Sequence, residues 1–298
     1  MTNANLLQQK LKELQPSNEF FIGIDSDGCV FDTMEIKHKE CFCPNFIKSF
    51  DLQKVSKYAR ETWEFVNLYS KTRGVNRFLA LVEAMELLGQ RPEVKEWDIN
   101  IPDMAPLKKW ISKETRLGNP ALKSYAQQVN DPIIDKALAW SLKVNKDIED
   151  MVYGMGPFPY AEKVLPKIQE KADALVVSQT PVEALEREWE ESDIKKYVHI
   201  IAGQEYGTKT EHLDLAAKGK YPDNKILMIG DAPGDLNAAN ANGVLFYPIN
   251  PGNENQSWKR FYEEALERFF NLQYDGEYQQ ALKDEFNACL PEKPNWNL

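Results

Sequence analysis

The sequence predicts an α/β protein in which a doubly wound, Rossmann-like parallel sheet carries a large all-helical cap insertion. Several short apolar runs end abruptly in polar or glycine residues, which is typical of strands buried on both faces. Helical segments separate the later runs, and this alternation indicates a parallel sheet covered by helices. Between about residues 33 and 157 the alternation stops, and helical patterns continue without a strong strand pattern.

The predicted elements can be placed in order along the chain. The apolar runs are residues 20–24, 174–177, 199–202, 226–229 and 244–249, and the helices between the later runs are residues 160–171, 181–196, 209–218 and 233–242. In a doubly wound sheet the active site lies at the carboxyl ends of the strands. Asp25, Ser178 and Asp231 end three of these runs, so we expect them at one edge of the sheet.

The chain of 298 residues is long enough for about two domains. We expect a Rossmann-like catalytic core of residues 18–32 and 158–255, and a helical cap of residues 33–157. An N-terminal helix is expected within residues 1–17, and C-terminal helices packed on the core within residues 256–298. Apolar residues at helical spacing support these helices: Leu6, Leu7, Leu11 and Leu14 at the N-terminus, Val75, Phe78, Leu79, Val82, Ile134, Ala137, Leu138 and Leu142 in the cap, and Tyr262, Leu266, Phe269 and Phe270 in the tail.

The composition argues against several classes of partner. Lys and Arg number 36 against 46 Asp and Glu, and the net charge of −10 disfavours binding to nucleic acid or to an anionic membrane. No apolar run approaches ~18 residues, so no transmembrane helix is expected, and the polar N-terminus lacks the apolar core of a signal peptide. The four cysteines are too few and too clustered for a disulfide framework, which favours a reducing cytoplasm. The sequence leaves the oligomeric state open.

The first candidate site is the pair Asp25 and Asp27, which closes the first predicted strand. A pair of this kind is also common in a loop that caps the next helix. The strand context favours a functional role, because the end of a buried strand is a costly place to crowd like charges. Gly28 frees the backbone to turn sharply, which would let both carboxylates face one point.

The second candidate site is the pair Asp231 and Asp235, which follows a predicted strand and opens a helix. Acidic residues at a helix start can be simple N-caps, with Pro233 at a first-turn position. That alternative does not explain why a second strand should end in paired carboxylates. Two acidic pairs at one sheet edge would repel each other unless a divalent cation lies between them, and oxygen ligands favour Mg²⁺.

Two further candidates are informative only in combination. Ser178 and the adjacent Gln179 precede a predicted helix whose amides could bind an anion, although Ser178 alone would most often be a helix N-cap. Lys209 alone is an ordinary surface lysine. The segment before it is similar to half of a nucleotide-binding P-loop, but Thr208 separates Gly207 from Lys209, so that pattern fails by one residue.

Taken together, these residues resemble the haloacid dehalogenase superfamily. The nucleophile motif, the hydroxyl, the lysine and the paired-acid motif occur in the family's order, over about residues 18–32 and 158–250. Asp32 and Thr33 fit the family's flap segment, and an insertion after the first strand resembles its helical cap. Two departures are Cys29, where Thr or Val is more usual, and Thr210, where proline often follows the lysine.

The resemblance implies a catalytic role for four residues. Asp25 would attack phosphorus and form an aspartyl phosphate. Asp27 would protonate the leaving oxygen and then activate the water that hydrolyses this intermediate. Ser178 would hydrogen-bond a phosphoryl oxygen, and Lys209 would offset the charge where an anionic nucleophile meets an anionic phosphate.

The resemblance also implies a metal and a reaction class. Asp231 and Asp235 would hold Mg²⁺ directly or through water, together with Asp25 and the main-chain carbonyl of Asp27. The expected activity is the Mg²⁺-dependent hydrolysis of a small phosphate monoester, a phosphorylated metabolite.

Other activities in the superfamily are alternatives. A true dehalogenase needs neither Mg²⁺ nor the second motif acid, so Asp27 and the pair Asp231 and Asp235 argue against it. A phosphonatase that forms a Schiff base needs a cap lysine, for which Lys37 and Lys39 are candidates by position. A sugar phosphomutase would use the same core and let a bound intermediate reorient. A non-catalytic binding protein on this fold is a further alternative from a different class.

The loop of residues 71–77 concentrates cations between two predicted cap helices of an acidic protein. Arg73, Asn76 or Arg77 could contact the anionic or hydroxylated part of a substrate. The alternative is a solvated loop with no part in binding.

Overall fold

The computed structural model describes residues 3–296, in two compact units. The core unit comprises Met1–Met34 and Gly154–Cys289, and the helical unit comprises Glu35–Tyr153 and Leu290–Leu298. The residues that follow Cys289 therefore group with the helical unit, whereas the sequence analysis placed the whole tail on the core.

The core unit contains the predicted parallel sheet. Its strands are β1 (Phe20–Ile24), β2 (Ala172–Val177), β3 (Ile200–Ala202), β4 (Ile226–Gly230) and β5 (Leu245–Pro248), in the order β3-β2-β1-β4-β5. All four strand pairs are parallel. The α/β class is confirmed, and the strands lie within three residues of the predicted runs because buried strands of a parallel sheet are almost purely apolar.

Helices cover this sheet in the core unit. They are α1 (Asn3–Glu13), α2 (Thr33–Ile36, which contains the unit boundary), α10 (Pro159–Gln169), α11 (Val182–Glu191), α12 (Lys209–Ala216), α13 (Pro233–Asn242), α14 (Glu254–Arg260), a π-helical turn (Phe261–Ala265), α15 (Leu266–Phe270) and α16 (Glu277–Cys289). Residues 1 and 2 of the predicted N-terminal helix lie outside the described residues. In the tail, Leu266 and Phe269 are buried in the sheet's hydrophobic core, and Tyr262 and Phe270 pack against that core half-buried, as predicted.

The helical unit has a hydrophobic core of its own. Its elements are a π-helical turn (Lys37–Phe42), α3 (Cys43–Ser49), α4 (Ser56–Leu68), α5 (Arg77–Gln90), α6 (Pro92–Glu96), α7 (Ala105–Ile111), α8 (Asn119–Val129) and α9 (Pro132–Met151). The predicted apolar stripes are wrong at Val75, Leu79 and Leu142, which are exposed. Val75 precedes α5, and α5 buries residues on several of its sides, so its buried face could not be identified from the spacing.

The C-terminal segment belongs to the core of the helical unit. The guanidinium of Arg91 lies 4.4 Å from the ring centroid of Trp296 and 4.8 Å from that of Tyr58. The ring of Trp296 also meets Phe65 edge to face at 5.4 Å. These cation–π and aromatic contacts bury Arg91 and hold the tail on this unit.

Within residues 3–296 no helix combines the length and the apolar character that a membrane span requires.

The buried carboxylate of Asp173 ties the amino-terminal end of the sheet together. It accepts hydrogen bonds from the main-chain N–H groups of Ser17 (2.7 Å) and Asn18 (3.0 Å), and from the hydroxyl of Tyr221 (2.6 Å). His199 Nε2 lies 2.9 Å from its other oxygen. Burial raises the pKa of Asp173, but the hydrogen bonds from Tyr221, Ser17 and Asn18 outweigh burial and lower the pKa below its usual value.

We expect Asp173→Asn to lower the free energy of unfolding by about 2–4 kcal/mol, because an amide cannot accept all of these hydrogen bonds. The depressed pKa means that the stabilisation is complete above about pH 4 and is lost as the pH falls through the folded-state pKa. Urea unfolding at pH 7 and at pH 3 measures both effects, with Asp150→Asn as an exposed control. Equal losses in the two variants at pH 7 would contradict this prediction.

Candidate active site

The register of the sheet brings the three predicted strand-end residues to one edge. Ile24 of β1 pairs with Val176 of β2 on one side and with Ile229 of β4 on the other. Asp25, Ser178 and Asp231 follow these paired positions within one or two residues. Residues more than 150 positions apart in the chain therefore become neighbours at the carboxyl ends of parallel strands.

Three buried carboxylates form the centre of the site. Asp25, Asp231 and Asp235 each offer one oxygen, and these oxygens lie within 4.8 Å of one another. The ammonium of Lys209 lies 2.8 Å from Asp25 Oδ2 and 2.6 Å from Asp235 Oδ1. The structure thus brings together four residues that the sequence analysis selected as nucleophile, lysine and metal ligands.

The electrostatics of this cluster follow from burial. Burial raises the pKa of Asp25 to about 7, although Lys209 opposes this shift. Burial also raises the pKa of Asp235. Burial disfavours the charge of Lys209, but Asp235 and Asp25 outweigh it and raise the pKa of the ammonium. Three acids against one ammonium leave excess negative charge, which a divalent cation would compensate.

The donor set fits Mg²⁺. All three candidate ligands are carboxylate oxygens, and a small hard cation prefers oxygen. Asp235 is held in place because its Oδ2 accepts a hydrogen bond from the main-chain N–H of Ala232 at 3.0 Å, at the start of α13. The candidate ligands therefore come from the ends of β1 and β4 and from the first turn of α13.

The side chain of Asp27 lies outside the acidic cluster. Its Oδ2 accepts a hydrogen bond from Thr180 at 2.6 Å, and its Oδ1 accepts one from Thr33. Of the two Asp-x-Asp carboxylates, only that of Asp25 therefore belongs to the set of candidate metal ligands. The sequence analysis missed Thr180, whose only signal was a hydroxyl two residues after Ser178 at the same strand end.

Ser178 and Gln179 extend the strand end rather than cap the helix that follows. Ser178 N donates to Ala202 O at 2.9 Å, and its Oγ accepts from Thr180 N at 3.2 Å. Gln179 Nε2 donates to Gly207 O at 2.9 Å. The N-terminus of α11 already meets an anion, because Val182 N donates to Glu205 Oε2 at 3.0 Å. The main-chain N–H of Val182, one of the amides expected to bind an anion, is therefore already bonded to the carboxylate of Glu205.

The three loop residues proposed for substrate binding make contacts inside the helical unit. Asn76 caps α5 by accepting from Phe78 N at 3.0 Å. Arg77 Nη1 donates to Asn145 Oδ1 at 2.6 Å, and burial lowers its pKa to about 10. Arg73 is buried, and its Nη1 donates to Leu68 O at 3.0 Å. These contacts assign all three a structural role, and a part in substrate binding stays a prediction.

Comparison with known proteins finds solved structures that share 12–14% sequence identity with this chain. No family model and no curated protein matches the chain. A hydrolase of the haloacid dehalogenase-like family from Streptococcus pneumoniae is 12% identical, with 80% of this chain and 90% of that chain covered at a TM-score of 0.42. A "predicted phosphatase" from Clostridium acetobutylicum is 14% identical, with 84% and 100% covered at 0.44.

A third solved structure is that of a Bacillus subtilis protein determined bound to magnesium. It is 12% identical, with 77% of this chain and 88% of that chain covered at a TM-score of 0.43. The structure of this chain itself contains a parallel sheet, a helical unit after β1 and the predicted acidic residues at one edge of the sheet.

Gly230→Ala is expected to weaken Mg²⁺ binding at the cluster. A methyl group at Gly230 would overlap the carboxylate of Asp235, which must then move away from Asp25 and Asp231. Mg²⁺ titration calorimetry measures the effect, and we expect at least a ~10-fold weaker affinity.

Gly234→Ala is the matched control for this substitution. It lies in the first turn of α13, where an added methyl group meets no atom of the described residues within 4 Å. Normal Mg²⁺ affinity in Gly230→Ala, or equal losses in the two variants, would contradict the proposed ligand set.

Proposed function

We propose that this chain is a haloacid dehalogenase-like phosphohydrolase that cleaves a small phosphate monoester through an aspartyl phosphate, with Mg²⁺ as cofactor. The observation that supports this most strongly is the placement of Asp25. Its carboxylate directly follows the central strand β1, contacts the partly buried ammonium of Lys209 and belongs to a cluster of three carboxylates.

In the first half of the proposed reaction, a carboxylate oxygen of Asp25 attacks phosphorus and the bond from phosphorus to the ester oxygen breaks. Asp27 donates the proton that the leaving oxygen needs. Lys209 offsets the repulsion between the two anions, and its contact with Asp25 Oδ2 places its charge at the attacking group. Asp25 Oδ1 accepts a hydrogen bond from Ser26 N at 2.8 Å, which orients the carboxylate.

In the second half, Asp27 takes a proton from water as the water oxygen attacks phosphorus. The bond between phosphorus and Asp25 breaks, inorganic phosphate leaves and both carboxylates return to their starting state. Thr180 and Thr33 hold the carboxylate of Asp27 in place through hydrogen bonds to its two oxygens.

The bound metal would polarise a phosphoryl oxygen and neutralise charge in the transition state. Asp25, Asp231 and Asp235 would hold it, with the main-chain carbonyl of Asp27 as a further proposed ligand. Ser178 would bind a phosphoryl oxygen, and the substrate would be a small phosphorylated metabolite.

One alternative activity loses support from the helical unit. A Schiff-base phosphonatase needs a lysine whose pKa is lowered, so that the amine is neutral and nucleophilic. Burial of Lys39 acts in that direction, but Glu35 and the hydroxyl of Tyr69, 3.0 Å away, outweigh it and raise the pKa of Lys39. Lys39 is therefore a structural cation and a poor Schiff-base lysine.

We also propose a cytoplasmic location. Cys29, Cys41, Cys43 and Cys289 are all free thiols, and three of them are buried. Thiols that persist without pairing are typical of a reducing compartment.

Asp25→Asn should reduce turnover of a generic aryl phosphate by roughly 10³-fold or more, because an amide is not a competent nucleophile. Its stability in chelator at pH 8 should equal or exceed that of the wild type, because a buried acid whose pKa is raised to about 7 costs folding free energy once it ionises. Phosphate release measures turnover, and thermal unfolding in chelator at pH 8 measures stability. The control is Asp193→Asn, at an exposed position. Retained turnover in Asp25→Asn would disprove the assignment of the nucleophile.

Turnover should disappear in excess chelator and return when Mg²⁺ is restored, because the three buried carboxylates repel a phosphate without a counter-charge. The assay is phosphate release over a series of free Mg²⁺ concentrations. Asp231→Asn should need a higher Mg²⁺ concentration for half-maximal rate, by roughly 10-fold or more. Full activity in chelator would rule out the metal-dependent mechanism.

A further inference from the structure

Two tryptophans from outside the four motifs donate hydrogen bonds to the loop that follows Asp25. Trp189 Nε1 donates to Ser26 Oγ at 3.0 Å, and Trp258 Nε1 donates to Cys29 O at 2.7 Å. Neither indole ring is accessible to solvent. The two contacts lie on either side of Asp27.

The loop is already tightly folded by its own main chain. Ser26 O accepts from Val30 N at 2.9 Å and from Phe31 N at 3.1 Å, and Gly28 N donates to Phe31 O at 2.8 Å. Gly28 adopts a positive φ of 75°, which an L-residue rarely adopts. These contacts define the shape of the loop, but they do not define its position relative to the helices that surround it.

The two indole hydrogen bonds fix the position of the loop relative to the helices that carry the tryptophans. Trp189 lies on α11, between β2 and β3, and its ring also meets Phe31 edge to face at 6.0 Å. Trp258 lies on α14, after β5, and meets Phe261 at 5.8 Å. An indole is a rigid side chain with one donor, so it fixes the distance between its helix and the acceptor.

We infer that Trp258 and Trp189 are positioning residues that hold the nucleophile loop in its reactive geometry, and that through Trp258 the C-terminal helix α14 contributes to catalysis. The inference rests on the proposed phosphohydrolase function. Both residues act through hydrogen bonds to Ser26 and Cys29, which flank Asp27 in the loop. A loop shifted by a fraction of an ångström would misplace the attacking oxygen and slow the chemical step.

The test is Trp258→Phe and Trp189→Phe, which keep an aromatic ring and remove the N–H donor. We expect kcat to fall by about 3- to 10-fold in each variant, the equivalent of one lost hydrogen bond, with KM unchanged within ~2-fold. The control is Trp140→Phe in the helical unit, where the indole is equally buried and Nε1 has no hydrogen-bond partner among residues 3–296. The control should lose similar packing and keep kcat.

The outcomes separate this inference from the proposed function. Unchanged kcat in both loop variants of an active enzyme would overturn the inference and leave the function standing. A fall in kcat that merely matches a fall in melting temperature, and that Trp140→Phe reproduces, would also overturn it. No turnover by the wild-type protein would instead contradict the proposed function.

A second readout works on the wild-type chain and covers the case in which a variant fails to fold. Beryllofluoride with Mg²⁺ mimics an acyl phosphate on aspartate, so it should bind at Asp25 without turnover. In ¹H–¹⁵N spectra we expect the indole resonances of Trp258 and Trp189 to shift and that of Trp140 to stay in place. Binding of beryllofluoride without a shift of either loop indole would overturn the inference.

Discussion

The pairing of the partly buried Lys209 ammonium with Asp25 and Asp235 is the interaction on which the rest of the site depends. Three carboxylates cannot be buried at one sheet edge without a compensating charge, because desolvation alone favours their protonated forms. Lys209 supplies part of that charge within the protein. The remaining negative charge is what a divalent cation would compensate in the proposed function.

The parallel sheet makes this concentration of charge geometrically possible. The strands β1 and β4 are adjacent and in register, so their last residues lie side by side although about 200 residues separate them in the chain. Each strand is an apolar run whose burial stabilises the fold, and each run ends where its first polar residue begins. The free energy gained by burying these apolar runs therefore offsets the cost of placing buried carboxylates at the strand ends.

The tail has two structural roles in two units. Its helices α14 to α16 belong to the core unit, where Trp258 reaches the carbonyl of Cys29. The segment after Cys289 belongs to the helical unit, where Trp296 packs on Arg91. Apolar spacing predicted the helices of the tail, but it could not identify the unit on which the final segment packs, because both units offer aromatic surfaces.

The sequence by itself determined the fold class, the strands and the residues of the acidic cluster. These are local properties: buried parallel strands are apolar runs, and a change from apolar to acidic at Asp25 and Asp231 is visible without any partner. The tertiary structure alone decided which side chains hold the motif residues. The partners of Asp27 and Ser26, namely Thr180 and Trp189, come from distant parts of the chain, and neither stands out from other threonines or tryptophans. The tertiary structure also gave Arg77 a structural partner, because the position of Asn145 beside it depends on how α5 and α9 pack.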